Sequence, residues 1–463
     1  GHIAGIVNPP QKKKYGYCVL DIETSIHTSY KRKANPFDPN NIIVALGYKF
    51  QGEKNVGEYY GRLGKRPFDY FTKILDQTNL LVAFNGKFDL LYLLREPQNY
   101  AAWQEWVVNG GQLFDCQLAE YLLQGMDQTS HMLSLEDVSI KYGGTLKVDE
   151  VKALWNAGIS TEDIDRDLLM RYLVGEGQDL GDIGNTEVVF LKQLEIARKV
   201  GQVKSIMLNC GALLCTVEME RNGMFVDLEL GHELAKKVAQ ELQETQARLW
   251  HYLPADLPFQ FNWNSPKQKS ALIFGGTVKY ERREYKLIDD SFTFDADHEL
   301  QAYAQKDEVH YLLDDGTTTA EKPTAETALS YATFKSGKNA GEFKTKKVKV
   351  DDLTKPKSRM GEDLYEFKGF TTPNPEWQGA EPGVYSTGSD VIEALGNRDI
   401  PFLKDLARST SLGKDLGTYY ITTDDEGKSK GMLTMVQPDS IIHHMLNMCS
   451  TVTARLSSSN PNL

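Results

Sequence analysis

Two hydrophobic periods alternate along the first 200 residues. The runs "YGYCVLDIE", "NIIVALGYKF" and "LLVAFN" are short and nearly continuous in apolar residues, as buried strands are, whereas "FDLLYLLRE" and "CQLAEYLLQG" space theirs at helical intervals. Alternation of this kind predicts an α/β fold over residues 15 to 200. From about 200 to 275 only the helical period remains, with "LGHELAKKVAQELQETQARLWHYL" as a long amphipathic segment and Asp227 as its N-cap. The change of period marks a domain boundary. Residues 276 to 385 are the least regular stretch, rich in Thr, Lys, Gly and Pro, with short alternating runs such as "EVHYLL" that predict small hairpins in an insertion. Helical spacing returns in "GSDVIEALGNRDIPFLKDLARSTSLGKDLGTYY", and a strand-like pattern follows in "GMLTMVQPDSIIHHMLNMCSTVTARLSSSNPNL". There is no internal repeat.

Composition narrows the picture. A chain of 463 residues with 41% hydrophobic content suits about three domains. Fifty-two basic against 64 acidic residues, a net charge of -12, argue against a uniformly basic nucleic-acid coat and require any polyanion to meet local basic surface. One such run exists: residues 335 to 359 hold nine basic and three acidic residues, the composition of a solvated loop or of a contact surface for DNA or a protein factor. The five cysteines are odd in number and include no C-x-x-C pair, so neither a disulfide framework nor a zinc site is expected, and a reducing cytosol fits. No apolar run has the length of a membrane span. The Gly-His start has no signal-peptide pattern and reads as a processed end or a tag remnant.

The chemistry begins at "YCVLDIETS". On a strand, residues i and i+2 face the same way, so Asp21 and Glu23 project together while Ile22 points to the opposite face. Two adjacent anions need a counter-charge, and an oxygen-preferring divalent cation supplies it. A solvated pair on a surface strand would look the same in one motif, so the rest of the domain decides. "LVAFNGKFDLLYLL" places Asn85 and Asp89 at a strand-to-helix transition, with Asn85 also suited to cap the helix. "LLMRYLVGEGQDLGDIGNTEVVFLKQL" brings Tyr172, Asp179 and Asp182 close in sequence.

D-x-E, then N-x-x-F-D, then a Tyr and an Asp before a helix resembles the 3′-to-5′ proofreading exonucleases of the DEDD class. "FDCQLAEYLLQG" and "SLEDVSIKYGG" resemble the connecting text of that domain in bacteriophage DNA polymerases of family A. The resemblance implies an RNase H-like fold, a mixed central sheet with flanking helices, over residues 1 to 200. It implies Asp21, Glu23, Asp89 and Asp182 as ligands of two Mg²⁺ ions, with Mn²⁺ as the alternative, and metal-assisted hydrolysis of DNA. Tyr172 would orient the attacking water, and Asn85 and Phe88 would hold an unpaired 3′ end. Asp182 is preferred to Asp179 because "DIGNTE" runs directly into the helix "VVFLKQL". The sequence departs from the family at this motif. The usual spacing is Tyr, three residues, Asp, and here "EGQDLG" at 176 to 181 intervenes, so that either the insert loops out or Tyr172 is displaced.

A second resemblance covers most of the chain after residue 205. "CTVEMERNGMFVD", "FNWNSPKQKSALIFGG", "YSTGSDVIEAL" and "STVTARLSSSNPNL" are similar, in this order, to the thumb and the start of the palm of family A DNA polymerases. It implies a mainly helical thumb over residues 201 to 427 with an irregular insertion at about 276 to 385, then the beginning of the palm over 428 to 463. Ser265, Lys267 and Lys269 become the residues expected to hold primer-template DNA through its phosphates, and Arg455 the one that the resemblance implies contacts the primer near its terminus through the minor groove. The family's polymerase carboxylates have no counterpart in these residues, so either a second polypeptide carries palm and fingers, the reading preferred, or the chain is a truncated or cleaved product; the basic insertion is either a solvated loop or a contact for DNA or a processivity factor. The combined expectation is the exonuclease and thumb portion of a phage replicative polymerase, in the cytoplasm of an infected bacterial host, with no membrane partner. The competing expectation is a DNA-holding assembly subunit whose nuclease the insert has silenced.

Overall fold

The computed structural model describes residues 11–62, 70–145 and 149–463; the Gly-His start lies outside them. The chain divides into two compact units, Gly1–Gln243 with Thr410–Leu463, and Glu244–Ser409. No helix among the described residues is long and apolar enough to cross a membrane.

The first unit is built on a five-stranded sheet of β1 (Cys18–Thr24), β2 (Ile43–Phe50), β3 (Val56–Tyr59), β4 (Leu80–Ala83) and β5 (Gln112–Asp115), in the order β3-β2-β1-β4-β5. β2 runs antiparallel to both β1 and β3, whereas β4 runs parallel to both β1 and β5, so the sheet is mixed. Between and after these strands come α1 (Tyr70–Gln77), α2 (Gly86–Leu93), α3 (Pro97–Val108), α4 (Cys116–Leu123), α5 (Leu135–Tyr142), α6 (Asp149–Asn156), α7 (Arg166–Val174), α8 (Gly181–Val200) and α9 (Val203–Asn222). A single apolar core runs through this part, including Leu20, Leu46, Val82, Leu169 and Phe190. Phe190 of α8 meets Phe114 and Tyr17 edge-on at centroid distances of 4.9 and 5.0 Å.

Two glycines determine how α7 and α8 lie on the sheet. Gly47 of β2 pairs across the ladder with Gly57 of β3 on one side and with Asp21 of β1 on the other, so all three positions share one face. A Cβ on Gly47 would meet Leu173 of α7 and Ile183 of α8 at 2.9 Å, and one on Gly57 would collide with Met170. Both helices therefore approach the backbone more closely than any side chain there would permit.

The turn between α7 and α8 contains the six-residue insert. Glu176 and Asp179 exchange backbone hydrogen bonds, both of 3.0 Å, which makes the insert a miniature hairpin that loops out. Gly175 (φ +79°) and Gly181 (φ +65°) close its base, where backbone packs on backbone and no Cβ fits. Asn55 completes the junction by donating to the Val174 carbonyl at 2.8 Å.

After β6 (Met224–Phe225), α10 (Leu228–Trp250) starts at Asp227, whose carboxylate accepts from the Leu230 N–H at 3.0 Å as an N-cap does. The second unit holds the last residues of α10, then α11 (Pro266–Phe274), β7 (Gly276–Lys286), β8 (Phe292–Thr293), β9 (Tyr303–Leu312), β10 (Thr318–Thr319), β11 (Thr345–Pro356), β12 (Ser358–Phe367), α12 (Ser389–Ala394) and the start of α13 (Leu403–Thr418). Leu249, Phe261, Leu272, Ile273, Phe367 and Phe402 form its core. In the expected insertion at about 276 to 385, local hairpins join β7 to β8 and β9 to β10, the latter carrying the run "EVHYLL", and longer pairings add to them. β7 pairs with β12 and β9 with β11 in long antiparallel ladders, arranged as the three-stranded sheets β12-β7-β8 and β10-β9-β11. The partners are far apart in sequence, so no local hairpin signal announces them. The basic run also changes character, because β11 lies against β9, where Lys349 faces Asp307 at 3.9 Å and Val348 faces Glu308.

The chain then returns to the first unit through β13 (Thr422–Thr423), β14 (Ser429–Lys430), β15 (Ile441–Ile442), β16 (Met445–Asn447) and β17 (Ser457–Ser459). β15 pairs with β6 and β16 with β17. The compact units thus cut the chain elsewhere than the spans 1–200, 201–427 and 428–463: Thr410–Leu463 belongs with the α/β part, to which β15 is tied by its pairing with β6.

The hairpin closure yields a test. Gly181→Ala should cost about 1 to 3 kcal/mol, since an L-residue is strained at this positive φ and its Cβ meets the backbone of residues 174 and 175. Denaturant unfolding of the variant beside Gly177→Ala, where the added Cβ meets open space, isolates the steric part.

Candidate metal centre

Asp21 and Glu23 lie on β1 opposite the two smallest residues of β2, Gly47 and Ala45. Because α7 and α8 sit close on this face, the first turn of α8 delivers Asp182 to the same place. Asp21, Glu23 and Asp182 each offer a ligand atom within 4.8 Å of the others, and among the described residues this is the one such group of acidic, His or Cys side chains. Glu23 and Asp182 are buried and Asp21 is half-buried. Asp179 is exposed in the hairpin instead.

Asp89 arrives from the other edge. β4 stops at Ala83, and past its end the Ile22 N–H donates to Asp89 Oδ1 at 2.9 Å rather than to a strand. Burial raises the Asp89 carboxyl well above the ordinary carboxylate range, the neighbouring Asp21 charge raises it further, and the Ile22 N–H opposes both. A cluster of carboxylate oxygens is a hard-oxygen donor set, the kind that Mg²⁺ or Mn²⁺ prefers.

The start of α2 differs from the sequence expectation. Asn85 stands at the N-cap position in a left-handed conformation (φ 58°, ψ 47°), yet its side chain makes no capping bond. The neighbouring Gly86 N–H donates to Asp115 Oδ2 at 2.6 Å, and the other oxygen of Asp115 caps α4 through the Leu118 N–H at 2.9 Å. Asp115 was legible as an Asp preceding a helix, but its second role comes from β5 lying beside β4. Asn85 and Phe88 line a cavity of about 260 Å³ together with Lys87, Leu213, Glu220 and Met448, and none of the four carboxylates lines it.

Tyr172 is 6% exposed and lies edge-on to Trp155, ring centroids 5.4 Å apart, in the apolar core. The residues expected to hold DNA are divided between the units. In the second, Ser265 caps α11 by accepting from the Gln268 N–H at 3.3 Å, Lys267 pairs with Glu381 at 2.5 Å, and Lys269 is half-buried with its pKa lowered by that burial. In the first, Arg455 is exposed in a turn where its carbonyl accepts from the Thr451 hydroxyl at 2.9 Å. The sequence reading did not single out Lys87 and Glu220, which form a buried ion pair of 2.7 Å.

The raised Asp89 pKa sets a sign for stability. The folded protein holds this proton more tightly than the unfolded chain, so the contribution is complete below the unfolded value near pH 3.9 and is lost as pH rises through the folded value. Mn²⁺ or Mg²⁺ should therefore raise the melting temperature by a few degrees at neutral pH and by much less in acid, with free ion at about 100 times Kd giving roughly 2.7 kcal/mol. Asp89→Asn keeps the acceptor for Ile22 and removes the charge. Its metal-free melting temperature should rise at neutral pH while its response to metal shrinks, which scanning calorimetry with and without Mn²⁺ measures.

No family model matches this chain, and no curated protein matches it. Among solved structures it is similar to the POL domain of Pol1 from M. smegmatis in complex with DNA primer-template and dNTP, at 14% identity and a TM-score of 0.48. The match covers 97% of this chain and 52% of that one, so this chain spans about half the length of that structure's chain.

Proposed function

We propose that the chain carries a divalent-metal 3′-to-5′ DNA exonuclease on its first unit and a DNA-holding thumb on its second, as part of a family A-like DNA polymerase. The observation that carries the reading is the convergence of Asp21, Glu23 and Asp182 within 4.8 Å, with Asp89 beside Asp21. The mixed sheet in the order β3-β2-β1-β4-β5, with the carboxylates on its central strand, supports an RNase H-like nuclease domain. The donor set fits hard cations, which when bound supply Lewis-acid stabilisation of the phosphodiester and of its leaving oxygen.

The residues of the chain do the rest. Asp21, Glu23, Asp89 and Asp182 hold the ions, and the Ile22 N–H fixes the orientation of the Asp89 carboxylate. Asn85, in its left-handed conformation, keeps its amide free of the helix end and available to a nucleotide, with the Phe88 ring beside it for stacking. Lys267 and Lys269 on α11 offer sequence-independent phosphate contacts. A second reading, a DNA-holding subunit without nuclease activity, is favoured by one feature, the packing of Tyr172 against Trp155 as a core residue.

Digestion of a 3′-mismatched primer with Mg²⁺, beside the Asp21→Ala, Glu23→Ala double variant, separates the two. The first reading expects metal-dependent trimming that the double variant loses while still binding the duplex. Duplex binding without trimming by either protein would leave the second reading. Binding in both cases should weaken steeply with salt, as phosphate contacts require.

A further inference from the structure

Lys87 lies in the first turn of α2 between Asn85 and Asp89. Residues two apart on a helix point to opposite sides, so Lys87 turns away from the direction taken by Asp89. Its ammonium donates to the Thr216 hydroxyl at 3.0 Å and to the Leu446 carbonyl at 2.5 Å, and forms an ion pair with Glu220 at 2.7 Å. Glu220 is buried on α9 and its other oxygen faces Arg32 at 3.4 Å. Arg32 also reaches the His443 carbonyl at 3.4 Å, the His443 ring stacks on Phe37 with centroids 3.6 Å apart, and His443 Nδ1 meets the Glu220 carbonyl at 2.8 Å. Four stretches far apart in sequence meet at this cluster: the loop after β1, the start of α2, α9, and residues 443 to 446.

We propose that Lys87 is a positioning residue for the carboxylate site, fixing the first turn of α2 to α9 and to the β16 region, so that Asp89 and Asn85 take their working places only when residues 443 to 447 are docked. The inference rests on the nuclease reading. Two features make the turn dependent on such a tether. α2 spans only Gly86–Leu93, and its start is held by side chains from elsewhere in the chain, Asp115 on the Gly86 N–H and the Lys87 cluster, rather than by a cap from Asn85. Lys87 is also the residue between the two that the site needs, and a displacement of about 1 Å at a catalytic centre is enough to cost up to a hundredfold in rate.

The test compares the full chain with Lys87→Met, Lys87→Arg and Glu220→Gln, each assayed well below its own melting temperature for trimming of a single-stranded oligonucleotide with Mg²⁺, and each followed by hydrogen exchange. For Lys87→Met we expect kcat to fall by about tenfold to a hundredfold with KM little changed. Amides of residues 86 to 91 and of 443 to 447 should exchange faster together while β1 and β2 keep their protection, and Lys87→Arg should recover most of the rate. Glu220→Gln should reproduce the paired loss of protection if Lys87→Met does not fold. Wild-type kcat in Lys87→Met, equal impairment of the Arg and Met variants, or unchanged exchange at both segments overturns the proposal. Absence of trimming by the wild-type chain would instead sink the nuclease reading, and the exchange results would still decide whether the two segments are held by this cluster.

Discussion

The close seating of two helices on a bare patch of sheet is the constraint from which the rest of the first unit follows. Gly47 and Gly57 lie side by side across β2 and β3, in line with Asp21 on β1, and together they let Leu173, Met170 and Ile183 press onto the backbone. A helix held further out would leave the first turn of α8 short of β1, and Asp182 would not meet Asp21 and Glu23. The same seat explains why the insert before α8 must fold outward. With α7 and α8 both against the sheet, their junction has room only for backbone, and Gly175 and Gly181 supply positions without a Cβ.

Charge then shapes what the packing has assembled. Carboxylates in the interior are costly unless something answers them, and the unit uses two solutions in neighbouring places. Glu220 is balanced inside the protein by Lys87 and Arg32, and Asp115 is balanced by the N–H groups of Gly86 and Leu118. Asp89 accepts from the Ile22 N–H and sits beside the Asp21 carboxylate, and burial together with that neighbour favours its acid form in the protein alone.

The second unit uses another logic. Its helices enclose a small aromatic core, and two sheets of long antiparallel strands extend from it, with exposed ladders rich in charge. Glu281 stands directly opposite Glu362 on one ladder, an unfavourable pair that Lys279 offsets through a 3.1 Å contact with Glu362. The basic run at 335 to 359 is partly answered by the acidic residues of β9, so a net charge counted along the sequence overstates what the folded surface presents.

The sequence by itself determined the period changes, the α/β character of the first part and the cap at Asp227, because each of these depends on neighbours within a turn or a strand. Asp21 and Glu23 share a face by the two-residue repeat of any strand, and no tertiary information is needed to say so. Only the tertiary structure decided that Asp115 rather than Asn85 serves the start of α2, that Lys87 and Glu220 pair, that Tyr172 rests on Trp155, and that β7 finds β12 across more than seventy residues. These outcomes turn on which distant backbones approach and how closely. Such proximity is selected by packing of the whole unit, and a local pattern carries no record of it.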